Sequence, residues 1–182
     1  MKGMAAQIAF DWRDAVFVDF KVMKEEWQRY SLSDGSVIRA KLILTSIYRT
    51  QTQTNPIGEP LYTWNFVLPI PAALISYPDR FKGEQTTVPI TPESLVQNID
   101  ESVDFEMAGS QDEWNVYNLK DGSVLRLRLN LTGVQRTKFH SATGEPLYNL
   151  SAGPPNYRIK IAPLLIKKQK SSGSTSKSSL YG

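Results

Sequence analysis

One stretch of this chain is written twice. Residues 26–50 read EWQRYSLSDGSVIRAKLILTSIYRT, and residues 113–137 read EWNVYNLKDGSVLRLRLNLTGVQRT. Trp27 corresponds to Trp114, Asp34-Gly35-Ser36 to Asp121-Gly122-Ser123, and Arg49-Thr50 to Arg136-Thr137, at a constant offset of 114 − 27 = 87. Internal repetition of this kind constrains architecture before any single residue does, because two similar segments must find similar local structure.

Each copy reads as a β-hairpin. Asp-Gly between two alternating runs is a strong hairpin signal, since a type I′ turn needs φ > 0 at both central residues. With Asp34-Gly35 and Asp121-Gly122 as two-residue loops, counting outward sets Trp27 opposite Leu42 and Trp114 opposite Leu129. Val116 then faces Leu127, and Asn118 faces Leu125. Leu125, Leu127, Leu129 and Leu131 share one face with Trp114, which is the expected core face. The opposite, outer face carries Tyr117 opposite Arg126 and Asn115 opposite Arg128; in the first copy it carries Tyr30 opposite Arg39 and Gln28 opposite Lys41. A three-residue bulged loop would shift this pairing.

The alternation breaks near Ser46 and Gly133. Ile47 and Val134 follow Leu44 and Leu131 by three positions, so a β-bulge or bend is needed to return them to the core. A long strand bent in its middle is how a small barrel turns a corner.

The flanks extend the pattern. Residues 15–23 read as a strand, and Val18-Asp19-Phe20 returns as Val103-Asp104-Phe105. Gly58-Glu59-Pro60-Leu61-Tyr62 returns as Gly144-Glu145-Pro146-Leu147-Tyr148, and each copy runs into a terminal strand at 64–68 or 157–161. Pro154-Pro155 marks an edge or a loop. Residues 70–101 have no counterpart after the second copy and carry Pro71, Pro78, Pro89 and Pro92. Within them Thr91-Pro92 opens a short helix, with threonine at N-cap and proline at N1.

The expected fold is therefore all-β: two tandem copies of a small bent-sheet or β-barrel unit with pseudo-twofold symmetry, and a short helix in the connector. The division is repeat unit 1 at 1–70, connector at 71–102, repeat unit 2 at 103–166, and a basic, serine-rich tail at 167–182 with four lysines. The pattern L-x-D-G-S-V-[IL]-R-x-[KR]-L is similar to the strand–turn–strand of Sm-like small barrels. That family puts a glycine in the bent strand where this chain has Ala40 and Leu127, and its nucleotide-contacting motif is absent. The likeness is one of hairpin grammar and assigns no family.

The inventory of reactive side chains is short. There is no cysteine, so disulfides, thiol nucleophiles and thiolate metal sites are excluded. There is one histidine, His140, in the variable loop of the second copy, where a solvated loop residue is the expected role rather than a base. Asp34, Asp121, Glu59 and Glu145 each lie in a turn whose backbone already accounts for them. No phosphate-cradling glycine loop, GxSxG, HExxH or EF-hand spacing occurs. The sequence thus reads as no enzyme, with no cofactor and no metal. No apolar run approaches the roughly 20 residues of a membrane helix, so membrane insertion is not expected and cytoplasmic residence is.

Two roles fit. The first is a non-catalytic interaction or scaffold protein, a component of a larger assembly with a protein partner or a second copy of itself. The alternative is a nucleic-acid-binding protein using Tyr30, Arg39, Lys41, Tyr117, Arg126 and Arg128, because an aromatic beside a cation on an exposed strand can stack a base and neutralise a phosphate. The same pairs can serve only as cross-strand cation–π contacts. The net charge of +3 is too small to decide between them.

Overall fold

The computed structural model describes residues 8–109 and 113–168. It is nearly all β, with one short helix. The leading segment forms two strands, β1 (Ala15–Phe17) and β2 (Phe20–Lys24). The first hairpin follows as β3 (Gln28–Leu32) and β4 (Val37–Ala40), then the long β5 (Ile43–Thr54) and β6 (Pro60–Val67). The connector supplies β7 (Ala73–Ser76) and helix α1 (Pro92–Gln97). The second half runs β8 (Ile99–Val103), β9 (Phe105–Ala108), β10 (Asn115–Leu119), β11 (Val124–Arg128), β12 (Leu131–His140), β13 (Pro146–Ala152) and β14 (Asn156–Lys160).

These strands make four open sheets, ordered β1-β5-β6, β13-β12-β8, β7-β4-β3-β9 and β14-β11-β10-β2. None closes on itself, so the expected barrel is not formed. Two pairings cross the middle of the chain: β2 joins β10, and β9 joins β3. The break that permits this lies at the recurring Val-Asp-Phe. The Val18 N–H bonds to Ile47 in the near sheet, whereas the Asp19 carbonyl accepts from Lys120 beside the far turn. The Asp104 carbonyl accepts from Ser33 in the same way. One contiguous apolar core results, holding Ile38, Leu42 and Ile47 with Leu125, Leu127 and Val134, each at most 2% exposed.

The hairpin turns hold three loop residues, not two. The Leu119 N–H donates to the Ser123 carbonyl at 2.9 Å and the Gly122 N–H to the Leu119 carbonyl at 3.0 Å; Leu32, Ser36 and Gly35 repeat this at 2.8 and 3.0 Å. Gly35 and Gly122 have φ of +91° and +89°, while among the described residues none other than glycine has positive φ. This is a type I turn followed by a left-handed residue in a G1 bulge. The aspartate side chains complete it by accepting from the Ser36 and Ser123 N–H groups, at 2.9 and 3.0 Å.

One extra loop residue moves the pairing by one position. Tyr30 faces Ile38 and Tyr117 faces Leu125, while Arg39 faces Arg29 and Arg126 faces Val116. Side chains alternate with period two, so every residue of β3 and β10 changes face. The tyrosines expected outside are in the core, at 2% and 0% exposure. The tryptophan expected in the core is outside: Trp114 lies beneath an arginine, and Trp27 matches it. The leucine face stands as expected, with Leu125, Leu127, Leu129 and Leu131 all buried.

The bulges fall where the alternation breaks. Register shifts occur between Leu44 and Ser46 and between Leu131 and Gly133, and Ile47 and Val134 return to the core. Thr91 caps α1 in a capping box with Ser94, and Leu95 is the buried residue of the helix. Two boundaries differ from the sequence reading. Trp64 belongs to the same strand as Tyr62, in β6, whereas Tyr157 lies in the separate strand β14, after the Pro154-Pro155 loop. The connector is also part of the sheet structure, because β7 pairs with β4 as β14 pairs with β11.

Candidate nucleic-acid interface

Strands β2, β10, β11 and β14 contain six cations, Lys21, Lys24, Arg126, Arg128, Arg158 and Lys160, and no aspartate or glutamate. Their registers put all six on one face. Arg126 lies opposite Arg158 on β14 and Val116 on β10, and Val116 lies opposite Lys24 on β2. Asn118 lies opposite Val124 and Lys21, and Val124 lies opposite Lys160. Arg128, two residues along from Arg126, pairs with Asn156. A register shift between Val116 and Tyr117 accommodates Met23 as an extra residue, so Lys21 and Lys24 share the face although three positions apart. The other face of the sheet carries Tyr117, Leu125 and Leu127 and is the core.

This outer face is open to solvent at Lys21, Arg126, Arg158 and Lys160. Arg128 and Arg158 hold their guanidinium groups 5.0 and 4.7 Å from the Trp114 ring. Lys24 has a carboxylate within reach, Glu26 at 3.8 Å. Directly opposed like charges such as Arg126 and Arg158 destabilise a sheet, and nothing acidic in the four strands offsets them.

The equivalent face in the first half is weaker. Arg39 and Arg29 lie opposite one another, with Arg39 4.7 Å above the Trp27 ring, but Glu106 on β9 shares that face. Lys41 is not part of either face. It pairs with Glu25 at 3.5 Å, and both side chains are largely buried. Glu25 also accepts from the Tyr117 hydroxyl at 2.8 Å. Burial first, and then this hydrogen bond, raise the Tyr117 phenol above its ordinary value. Burial pushes Tyr30 up to about 12, and its hydroxyl donates to Gln28 at 2.9 Å. Of the six residues proposed from sequence, Arg126 and Arg128 share a basic face, Arg39 is on another sheet, Tyr30 and Tyr117 are buried in the core, and Lys41 is paired with Glu25.

The turn carboxylates are tied up in two locks that join distant parts of the chain. Asp34 accepts from the Tyr148 hydroxyl at 2.7 Å and from Arg136 at 2.9 Å, and Arg136 also reaches Asp100 and Glu101. Asp121 accepts from the Tyr62 hydroxyl at 2.6 Å, and Arg49 lies 3.3 Å away, close enough for an ion pair but not aligned as a hydrogen bond. Burial pushes the Asp34 carboxyl upward, but the hydrogen bonds from Tyr148, Ser36 and Arg136 together outweigh it, and the group lies below its ordinary value. Recurrence of Arg-Thr and of the Tyr in Gly-Glu-Pro-Leu-Tyr was the sequence signal for these locks. His140, expected as a solvated loop residue, instead ends strand β12 and is half-buried: its Nε2 lies 3.0 Å from the Phe81 carbonyl, and its ring packs on Gly83 where a Cβ would clash at 2.5 Å.

Among the described residues, no group of three or more histidine, aspartate or glutamate side chains is placed to hold a metal ion. Nor is any helix among them long and apolar enough to cross a membrane. Lys167 is described and donates from its Nζ to the Thr52 carbonyl; the tail residues Lys170 and Lys177 lie outside the described residues. Comparison of the chain with protein-family models, with curated proteins and with solved structures finds no match.

Proposed function

We propose that this chain is a non-catalytic interaction module, a component of a larger assembly, and that it docks nucleic acid on the outer face of the β2-β10-β11-β14 sheet. The observation that carries the proposal is the concentration of charge. The whole chain has a formal charge of +3, while these four strands hold six cations and no acid. Strands that carry charge of one sign on a shared face attract a polyanion through phosphate contacts and counterion release. Half of the cations are arginines, whose guanidinium matches phosphate geometry.

The test is fluorescence anisotropy of a labelled oligonucleotide across a salt series. If about four phosphates of a single strand are engaged, log K falls against log salt with a slope near −3. The double substitution Arg126→Gln, Arg158→Gln should weaken binding more than tenfold and flatten the slope by about 1.4. Absence of binding at low salt would sink the proposal.

A second reading, docking on a protein, is favoured by a different surface. Phe10, Trp12, Tyr48 and Phe17 stack edge to face over the β1-β5-β6 sheet, with Trp12 and Phe17 60% and 57% exposed. Exposed aromatic clusters of this sort mark interfaces.

We also infer that the two halves arose by duplication and are related by a pseudo-twofold axis. In support, β1-β5-β6 corresponds to β8-β12-β13 and β9-β3-β4-β7 to β2-β10-β11-β14, strand for strand. On this reading only the second half kept the basic face, so duplication preserved the shape while the two surfaces diverged.

A further inference from the structure

The basic face ends at β14, an edge strand with two different sides. Arg158 and Lys160 point with Arg126 to the outer face. Tyr157 and Ile159, between and beside them, belong to the opposite side, being paired with Leu127 and Leu125. Leu127 is fully buried, yet Tyr157 is 59% exposed, because the core stops at the sheet edge. Across from it stands β6, which is an edge strand of its own sheet. Between the two edges runs a groove of about 360 Å³ lined by Phe10, Tyr62, Trp64, Tyr157, Ile159 and Ile161. Trp64 and Tyr157 meet edge to face across it, with ring centroids 5.0 Å apart at 62°. One end is polar, where Asn55 and Glu59 bond to each other at 3.0 Å.

We propose that the Trp64–Tyr157 groove takes the bases of a single-stranded nucleic acid whose phosphates lie on Arg126, Arg158 and Lys160. The inference rests on reading the basic face as a polyanion dock, and it names the form of the polyanion. Alternation along one strand sets cations and aromatics on opposite sides of the same edge, about 3.3 Å apart in rise per residue. A strand crossing that edge presents phosphate to one side and base to the other. This combination of a positive track with aromatic rings is how single strands are held without sequence readout. A duplex has its base faces stacked inside and cannot use the groove. Trp114 does not compete for bases, since Arg128 and Arg158 both lie against its ring.

The probes are a labelled oligothymidylate of about 20 nucleotides, a duplex of about the same length, and vesicles containing anionic phospholipid, all with the full chain. The single strand should bind more tightly than the duplex. Tyr157→Ala should weaken single-strand binding about tenfold, a stacking-sized effect, and leave duplex binding and the salt slope unchanged. Tyr157→Phe should restore it, and a thermal melt of each variant should show the fold intact. Single-strand binding indifferent to Tyr157→Ala, or an equal loss for strand and duplex, overturns the inference while leaving the basic face as a dock. Binding to vesicles but to neither oligonucleotide, or binding to none of the three, overturns the inference and the nucleic-acid reading together.

Discussion

Asp34 shows how a turn residue can also be a fastener. Its backbone closes the first hairpin, and its carboxylate receives Tyr148 and Arg136 from the far half of the chain. The side chain is 7% exposed. Removing a buried partner leaves its donors unpaired, which costs more than the bond contributes. Asp34→Ala should therefore lower stability by about 2–4 kcal/mol in urea denaturation, less than a fully isolated pair because Arg136 keeps Asp100 and Glu101. The native carboxyl lies below its ordinary value of 3.8. Its stabilisation is thus complete above that unfolded value and drains away as pH falls through the lower native one. The acid limb of a stability-versus-pH curve should be shallower in Asp34→Asn than in the parent. Tyr148, which burial lifts to about 12, stays a donor throughout that range. The sequence showed Asp34 only as a turn former, because the groups that meet it lie about 100 positions away and no local pattern encodes that distance.

At the scale of the element, the hairpins turn on a single glycine. Gly122 sits at φ +89°, and a Cβ there would come 3.3 Å from the Ala162 Cβ. Gly122→Ala should cost about 1–2 kcal/mol, the penalty of a left-handed alanine, read as a lower melting temperature with no change in the far-ultraviolet spectrum. Strand type, the bulges at Ser46 and Gly133, and the capped helix were all legible, since each rests on local periodicity or turn chemistry. The register was not. Asp-Gly suits a two-residue I′ loop and a three-residue bulged loop alike, and that one residue decides whether tyrosine or tryptophan enters the core. The basic face was half legible for the same reason. Arg126 and Arg128 are in the repeat, but Lys21, Lys24, Arg158 and Lys160 join them only because strands outside the repeat, β2 and β14, pair with strands inside it.

At the scale of the molecule, the crossed pairings make the halves mutually dependent. Residues 87–90 are exposed between β7 and α1, and a protease site inserted between Thr87 and Val88 would open the chain without touching a strand. The two pieces should still elute together on size exclusion and unfold in one transition, held by β2 on β10 and β9 on β3 and by the two aspartate locks. Separation of the pieces at micromolar concentration would contradict the shared core. Expressed alone, neither piece should fold, because each would expose a hairpin edge and half of a core.

The same crossing has a temporal side. A ribosome releases β2 long before its neighbour: from Lys24 to Leu119 is 119 − 24 = 95 residues, about 5–20 s of translation at ordinary speeds. For that interval the nascent chain carries β2 with no partner strand, and the β3 edge of the first hairpin stays open until β9 is made. The charges on Lys21 and Lys24 then act as gatekeepers against pairing with a neighbouring nascent chain.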